Sequence, residues 1–237
     1  MLILSIETTG ELCSLAVCEK LSLKAMLLTH TYRDLLVRLP ELTQLTLKAA
    51  NCELSDISLV AVSIGPGSFT STRIGVAYAK AMAYSLNKPI VGVRTLECMA
   101  HLAGAQDGQR LIVLYPSRPT RPFEAYSAKF VKVSGELKTI EEECVVNVEA
   151  LLSELTCCNE RTVICGALRD EWKMLLSEVA TSNSLIWVVH IFPTAWGIGQ
   201  LAYHRWERQG CGDDVFQLKP LYVLPSQAEE KFGIRVT

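Results

Sequence analysis

Three apolar runs crowd the first thirty residues: LILSIETT from Leu2, LCSLAV from Leu12 and LSLKAMLLTH from Leu21. Their connections are too short for the crossover that parallel neighbours need, so the runs can pair only as an antiparallel meander. From Asp34 to Asn51 the period changes. Leu35, Leu36, Leu39, Leu42, Leu45 and Leu47 recur every three or four residues, which predicts a helix, and Pro40 is expected to kink it or start it afresh. LVAVSIG (from Leu59) is the next strand, a helix follows from about Thr72 to Leu86, and KPIVGVRT is another strand before a helical stretch from Leu96 to Ala103. Strand, helix, strand in that order predicts a parallel crossover.

The polar segment AGAQDGQ, from Ala103 to Gln109, marks a boundary, dividing the chain into lobes of residues 1–104 and 105–237. Beyond it the order begins again. LIVLYP, FEAYSAKFVKV and ELKTIEEECV read as strands, VEALLSEL as helix, TVICGA as strand, EWKMLLSEV as helix and SLIWVVH as strand. TAWGIGQLAYHRWERQG predicts a last helix that stops at Gly210, and the proline-interrupted tail from Val215 reads as an arm. The pattern implies an α/β chain built from a duplicated unit without obvious sequence repetition.

A hydrophobic content of 49% can fill a sizeable core, and the net charge of −2 supplies no polycationic surface for autonomous nucleic-acid binding. The nine cysteines form no C-x-x-C pair and match neither a zinc framework nor a disulfide scaffold. Most are expected as small buried hydrophobes, the adjacent Cys157 and Cys158 included as structural residues. No basic leader precedes Glu7, and no apolar run approaches the roughly 18 residues of a membrane helix. A reducing cytoplasmic setting is the expectation.

SIGPGSFTSTRIG, from Ser63 to Gly75, can be read two ways. Gly65 and Gly67 permit unusual backbone angles or close approaches, Pro66 stiffens the corner, and Ser68, Thr70, Ser71 or Thr72 can cap a helix start. Free amides there would attract phosphate or carboxylate, with Arg73 adding charge, yet the turn lacks a Walker lysine and does not match G-x-G-x-x-G. Composition alone leaves both a structural corner and an anion site open. His30, His101, His190 and His204 contain no close pair, no G-x-S-x-G elbow is present, and Glu141, Glu142 and Glu143 read as a solvated strand end or loop.

ILSIETT at the start, GPGSFTSTRIG opening a helix and KPIVGVRTLECMA after it resemble the TsaB family, also called YeaZ, strongly through about residue 103 and in pattern to the end. TsaB proteins are similar to degenerate relatives of TsaD, which makes threonylcarbamoyladenosine in tRNA. The resemblance implies duplicated ribonuclease-H-like lobes of the sugar kinase, Hsp70 and actin superfamily. In relatives that hydrolyse ATP, an acidic residue ending the first strand helps to place a metal ion, and Glu7 stands there in place of the usual aspartate. On the same footing Glu7, Gly65, Gly67, Ser68 and Thr70 are candidates for residual nucleotide contact. Three other departures are Ser71 for a usual glycine, Asp34 for a usual histidine, and YPSRPTRPFEAY, from Tyr115 to Tyr126, for a usual DAR strand. They fit an accessory subunit better than an enzyme.

The resemblance further implies that the two first-lobe helices pair with TsaD, or with a second copy when TsaD is absent. The candidate interface residues are Leu35, Leu39 and Leu42 on the first helix and Arg73, Ile74, Ala77, Tyr78 and Ala81 on the second. TsaE is the expected third component, tRNA is reached only indirectly, and ATP or ADP with magnesium enters through the partner complex. No catalytic or metal-binding residue is expected in this chain. The alternatives are an ATP-dependent phosphotransferase or ATPase using Glu7 and the turn, and a self-contained homodimeric structural protein.

Overall fold

In a computed structural model that describes residues 1–30, 34–155 and 160–225, the meander and the crossover share one mixed sheet. Strands β1 (Leu2–Glu7), β2 (Leu12–Glu19) and β3 (Ser22–His30) pair antiparallel. Helix α1 (Leu35–Ala49) leads to β4 (Ile57–Gly65), parallel to β1, and α2 (Phe69–Leu86) leads to β5 (Ile90–Arg94), parallel to β4. The sheet order is β3-β2-β1-β4-β5.

Helix α3 (Thr95–Leu102) carries the chain to a second sheet of β6 (Arg110–Pro116), β7 (Glu124–Val133), β8 (Glu136–Asn147), β9 (Thr162–Gly166) and β10 (Ile186–His190). Helices α4 (Val148–Leu155) and α5 (Asp170–Ser182) flank β9, and α6 (Ala195–Gln209) follows β10. The order β10-β9-β6-β7-β8 repeats the first sheet strand for strand, with β6 in the place of β1. The duplicated ribonuclease-H-like fold is therefore the observed one.

Both faces of the first sheet are covered, which is why its central strands read as nearly unbroken apolar runs. Leu4, Ile6, Val60 and Val62 face α1 and α2, while Ile3, Ala16, Leu59 and Ala61 face Ala195, Ile198 and Ala202 of α6. A Cβ on Gly199 would lie 3.1 Å from Cys18 Sγ and Ser5 Oγ, so small residues let α6 settle closely on the strands. In return α3 delivers Leu96, Met99 and Ala100 to a core with Leu111, Val113, Tyr126 and Phe130 of the second sheet. The two units thus exchange their last helices. Helix α6, which follows the second unit in the chain, thus packs on the first sheet, because apolar faces pair by shape rather than by chain order.

Three local details sharpen the sequence expectation. Helix α1 runs through Pro40, which forgoes the bond its nitrogen would have made to the Leu36 carbonyl. Helix α2 starts at Phe69 rather than Thr72, because Ser68 accepts from the Ser71 amide and the Thr72 N–H returns to the Ser68 carbonyl at 2.9 Å. Glu141, Glu142 and Glu143 lie within β8, the strand expected over ELKTIEEECV. Lys129 pairs with Glu141 at 2.7 Å, and Arg94 at the end of β5 pairs with Glu142 and Glu143, so the run ties the two sheets together. Gly210 closes α6 with φ +68°, as expected.

Cys13, Cys18, Cys98 and Cys165 are buried, and burial pushes the Cys18 thiol up to about 11 and those of Cys13 and Cys165 to about 12. Cys157 and Cys158 lie outside the described residues. No helix among the described residues is long and apolar enough to cross a membrane.

Candidate functional site

The end of β1 meets the start of α2 at a crossing with no room for side chains. A Cβ on Gly67 would stand 2.3 Å from the Thr9 carbonyl oxygen, and one on Gly75 would stand 2.0 Å from Thr8 Oγ1. Ser68 donates its N–H to the Thr9 carbonyl at 2.7 Å, and Thr8 donates its hydroxyl to the Ser71 carbonyl at 3.0 Å. Gly65 has φ +106°, and a Cβ on it would come within 3.0 Å of the Leu221 carbonyl, so that glycine serves both the turn and the chain passing over it. The GPG corner is a place where three segments of main chain cross. Thr8 and Thr9, the residues that make the crossing, were not singled out in the sequence; the signal was a pair of hydroxyls directly after a buried strand.

Glu7 is enclosed at this crossing, 1% exposed. Its Oε1 accepts from the Thr9 amide at 2.6 Å and the Thr9 hydroxyl at 2.5 Å, and its Oε2 is buried without a hydrogen-bond partner among the described residues. Burial raises the carboxyl pKa, with the Thr9 hydroxyl opposing that shift. Tyr115, from the first strand of the second unit, brings its hydroxyl over Gly10, where a Cβ would stand 2.2 Å away. Burial raises the Tyr115 pKa as well.

The candidate nucleotide contacts lie around this crossing but differ in exposure. Glu7 and Gly65 are buried, Gly67 is half-buried against Thr9, and Ser68 and Thr70 are exposed with the Ser68 amide already bonded. Magnesium needs a near-octahedral oxygen shell that usually keeps several waters. An enclosed carboxylate with threonine neighbours does not fit that requirement, and no group of three His, Cys, Asp or Glu side chains gathers among the described residues. His190 accepts from the Leu168 amide through Nδ1 at 3.1 Å, and His101 bonds Gln200 through Nε2 at 3.2 Å.

The helix pair α1–α2 forms the other candidate site. Leu35, Leu39 and Leu42 are 2%, 0% and 4% exposed and pack in the chain's own core, which corrects their expected place on an interface. Of the leucines in the period, Leu35, Leu39, Leu42 and Leu47 form the buried stripe. Leu36 and Leu45 are exposed, as is Val37. On α2, Arg73, Ala77 and Ala81 are exposed as the interface reading requires, while Ile74 and Tyr78 are half-buried and Tyr78 Oη lies 2.9 Å from Thr43 Oγ1 across the pair. An apolar groove of about 570 Å³ runs between the helices, lined by Pro40, Thr43, Leu47, Leu54, Tyr78 and Met82 among others.

Comparison with known proteins fixes what this arrangement is related to. The family model for TsaD, tRNA N6-adenosine threonylcarbamoyltransferase, matches residues 29–163. Over 183 residues the chain is 30% identical to the tRNA threonylcarbamoyladenosine biosynthesis protein TsaB of Escherichia coli K12, covering 75% of this chain and 76% of that protein. The chain belongs to the TsaB family. TsaB of Bacillus subtilis is 25% identical over 232 residues, covering 98% of each chain. The solved structure of YeaZ from Pseudomonas aeruginosa aligns with a TM-score of 0.73 at 22% identity, covering 93% of this chain and 99% of that one, which shows a shared fold.

Proposed function

We propose that this TsaB family member is a non-catalytic subunit that binds and activates TsaD for threonylcarbamoyladenosine modification of tRNA. The curated relatives named above act in that biosynthesis, which supports the pathway. The observations that support the docking role are the exposed small and apolar residues of the helix pair, Leu36, Val37 and Leu45 on α1 and Ala77, Ala81 and Tyr84 on α2, and the separate apolar groove between the same helices. Small residues on α2 let another helix approach closely.

The buried Glu7 and the bonded Ser68 amide favour a structural corner over a nucleotide site, so TsaD would supply the transfer chemistry. Binding the helix pair would select the TsaD conformation that contacts it best, and the gain is bounded by the difference in affinity between TsaD states. In the same reading TsaE joins as a third component, a second copy of this chain takes the helix pair when TsaD is absent, and tRNA is contacted by the partner. The proposal is tested by mixing the chain with TsaD of the same organism and measuring mass by light scattering after size exclusion. A one-to-one complex is expected; its absence at micromolar concentration, with magnesium-dependent ATP binding by the chain alone, would favour the phosphotransferase reading.

A further inference from the structure

Beyond α6 the chain does not trail away but recrosses the first unit. Asp213 bridges the free edge of β5, its amide donating to the Ile90 carbonyl and its Oδ2 accepting from the Gly92 amide, both at 2.7 Å. The segment then runs along α2. Lys80 donates its ammonium to the Phe216 carbonyl at 3.2 Å and the Leu218 carbonyl at 2.9 Å, and Phe216 meets the Tyr84 ring edge-on with centroids 5.7 Å apart. Leu221 donates its amide to the Ile64 carbonyl at 2.7 Å, directly above the GPG corner, and Tyr222 stacks on Phe69 at 4.8 Å in the first turn of α2. Val223 and Leu224 end in the core shared with the second sheet.

The segment 213–224 thus touches the sheet edge, both ends of α2, the corner that starts it and the second unit. Lys80 of α2 reaches the middle of the crossing with two charge-assisted bonds. We propose that this segment is a strap that holds α2 in its docking pose, with Lys80 as the positioning residue, so that the helix pair accepts a partner fully only while the strap is latched. This rests on the docking role proposed above for α2, but the latch can be read without a partner.

The experiment compares the full chain with its Lys80→Met and Lys80→Arg variants by hydrogen exchange and by affinity for TsaD. Methionine keeps the aliphatic stem and removes both charge-assisted bonds, while arginine keeps a cation. Peptides spanning 213–222 and the first turn of α2 should exchange at least about tenfold faster in Lys80→Met, with the β1 and β4 peptides unchanged as evidence of an intact fold. TsaD affinity should fall at least about fivefold, and Lys80→Arg should recover most of both effects. Unchanged exchange in the strap would overturn the latch. Faster strap exchange with an unchanged α2 first turn and unchanged affinity would overturn the positioning role. Should wild type fail to bind TsaD, the docking proposal fails separately, and exchange in the α2 first turn alone decides whether the strap positions the helix.

Discussion

Ser68 donates its backbone N–H to the carbonyl of Thr9 at 2.7 Å, joining the start of α2 to the end of β1. In a phosphate-binding turn that amide would face the ligand. Here it is committed to main chain, and Thr8 adds a second tie to the Ser71 carbonyl. The corner thereby fixes the direction in which α2 leaves the sheet, and α2 carries half of the proposed docking face.

Close packing at this corner gives a direct stability prediction. Gly67→Ala places a methyl where the Thr9 carbonyl oxygen stands 2.3 Å away, with Thr9 Cβ at 2.7 Å and the Thr9 carbonyl carbon at 3.0 Å. Overpacking of this kind costs about 1–3 kcal/mol, so the melting temperature should drop by roughly 3–10 °C. Gly104→Ala, at a position with open space and φ +68°, should cost only about 1 kcal/mol. Equal losses in a thermal melt would contradict the crossing geometry.

Glu7 supplies a pH signature. Its folded pKa is raised above 4.5 by burial, so its contribution to stability is fully present below about 4.5 and is lost as pH rises through the folded value. Relative to Glu7→Gln, wild type should lose stability with increasing pH in that window, with a slope approaching about 1.4 kcal/mol per pH unit. Urea midpoints of both proteins from pH 4 to pH 8 check this; parallel curves would mean that Glu7 is ionised in the folded state.

The tie between the sheets can be dissected at Arg94. Glu143 is 4% exposed in its side chain and takes the Arg94 guanidinium at 2.9 Å, whereas Glu142 is 67% exposed. Arg94→Ala leaves a nearly buried carboxylate without its cation and should cost about 1–3 kcal/mol in urea unfolding. Glu142→Ala should stay within about 0.5 kcal/mol. Similar losses from the two would show that the pair acts only as a surface contact.

Much of the fold was legible because burial on two sides leaves an unbroken apolar run and a tight meander leaves no choice of pairing. The exchange of α3 and α6 was not, since nothing local in TAWGIGQLAYHRW says which sheet its small residues will meet. At the helix pair, the leucine period includes both the buried Leu35, Leu39 and Leu42 and the exposed Leu36 and Leu45, since a period alone does not say which of its residues the sheet will cover. Gly65 and Gly67 were legible as positions of close approach, but the approaching partners, Leu221 and Thr9, are fixed only by tertiary structure. Lys80 carried no signal at all until the chain returned to meet it.

The most direct test of the docking account is the affinity of TsaD for wild type, Leu36→Glu and Ala81→Glu, measured by titration calorimetry. Both positions are exposed, so both variants should melt within about 2 °C of wild type while losing at least about tenfold in affinity. Undiminished binding by two stably folded variants would place the partner elsewhere and contradict the account.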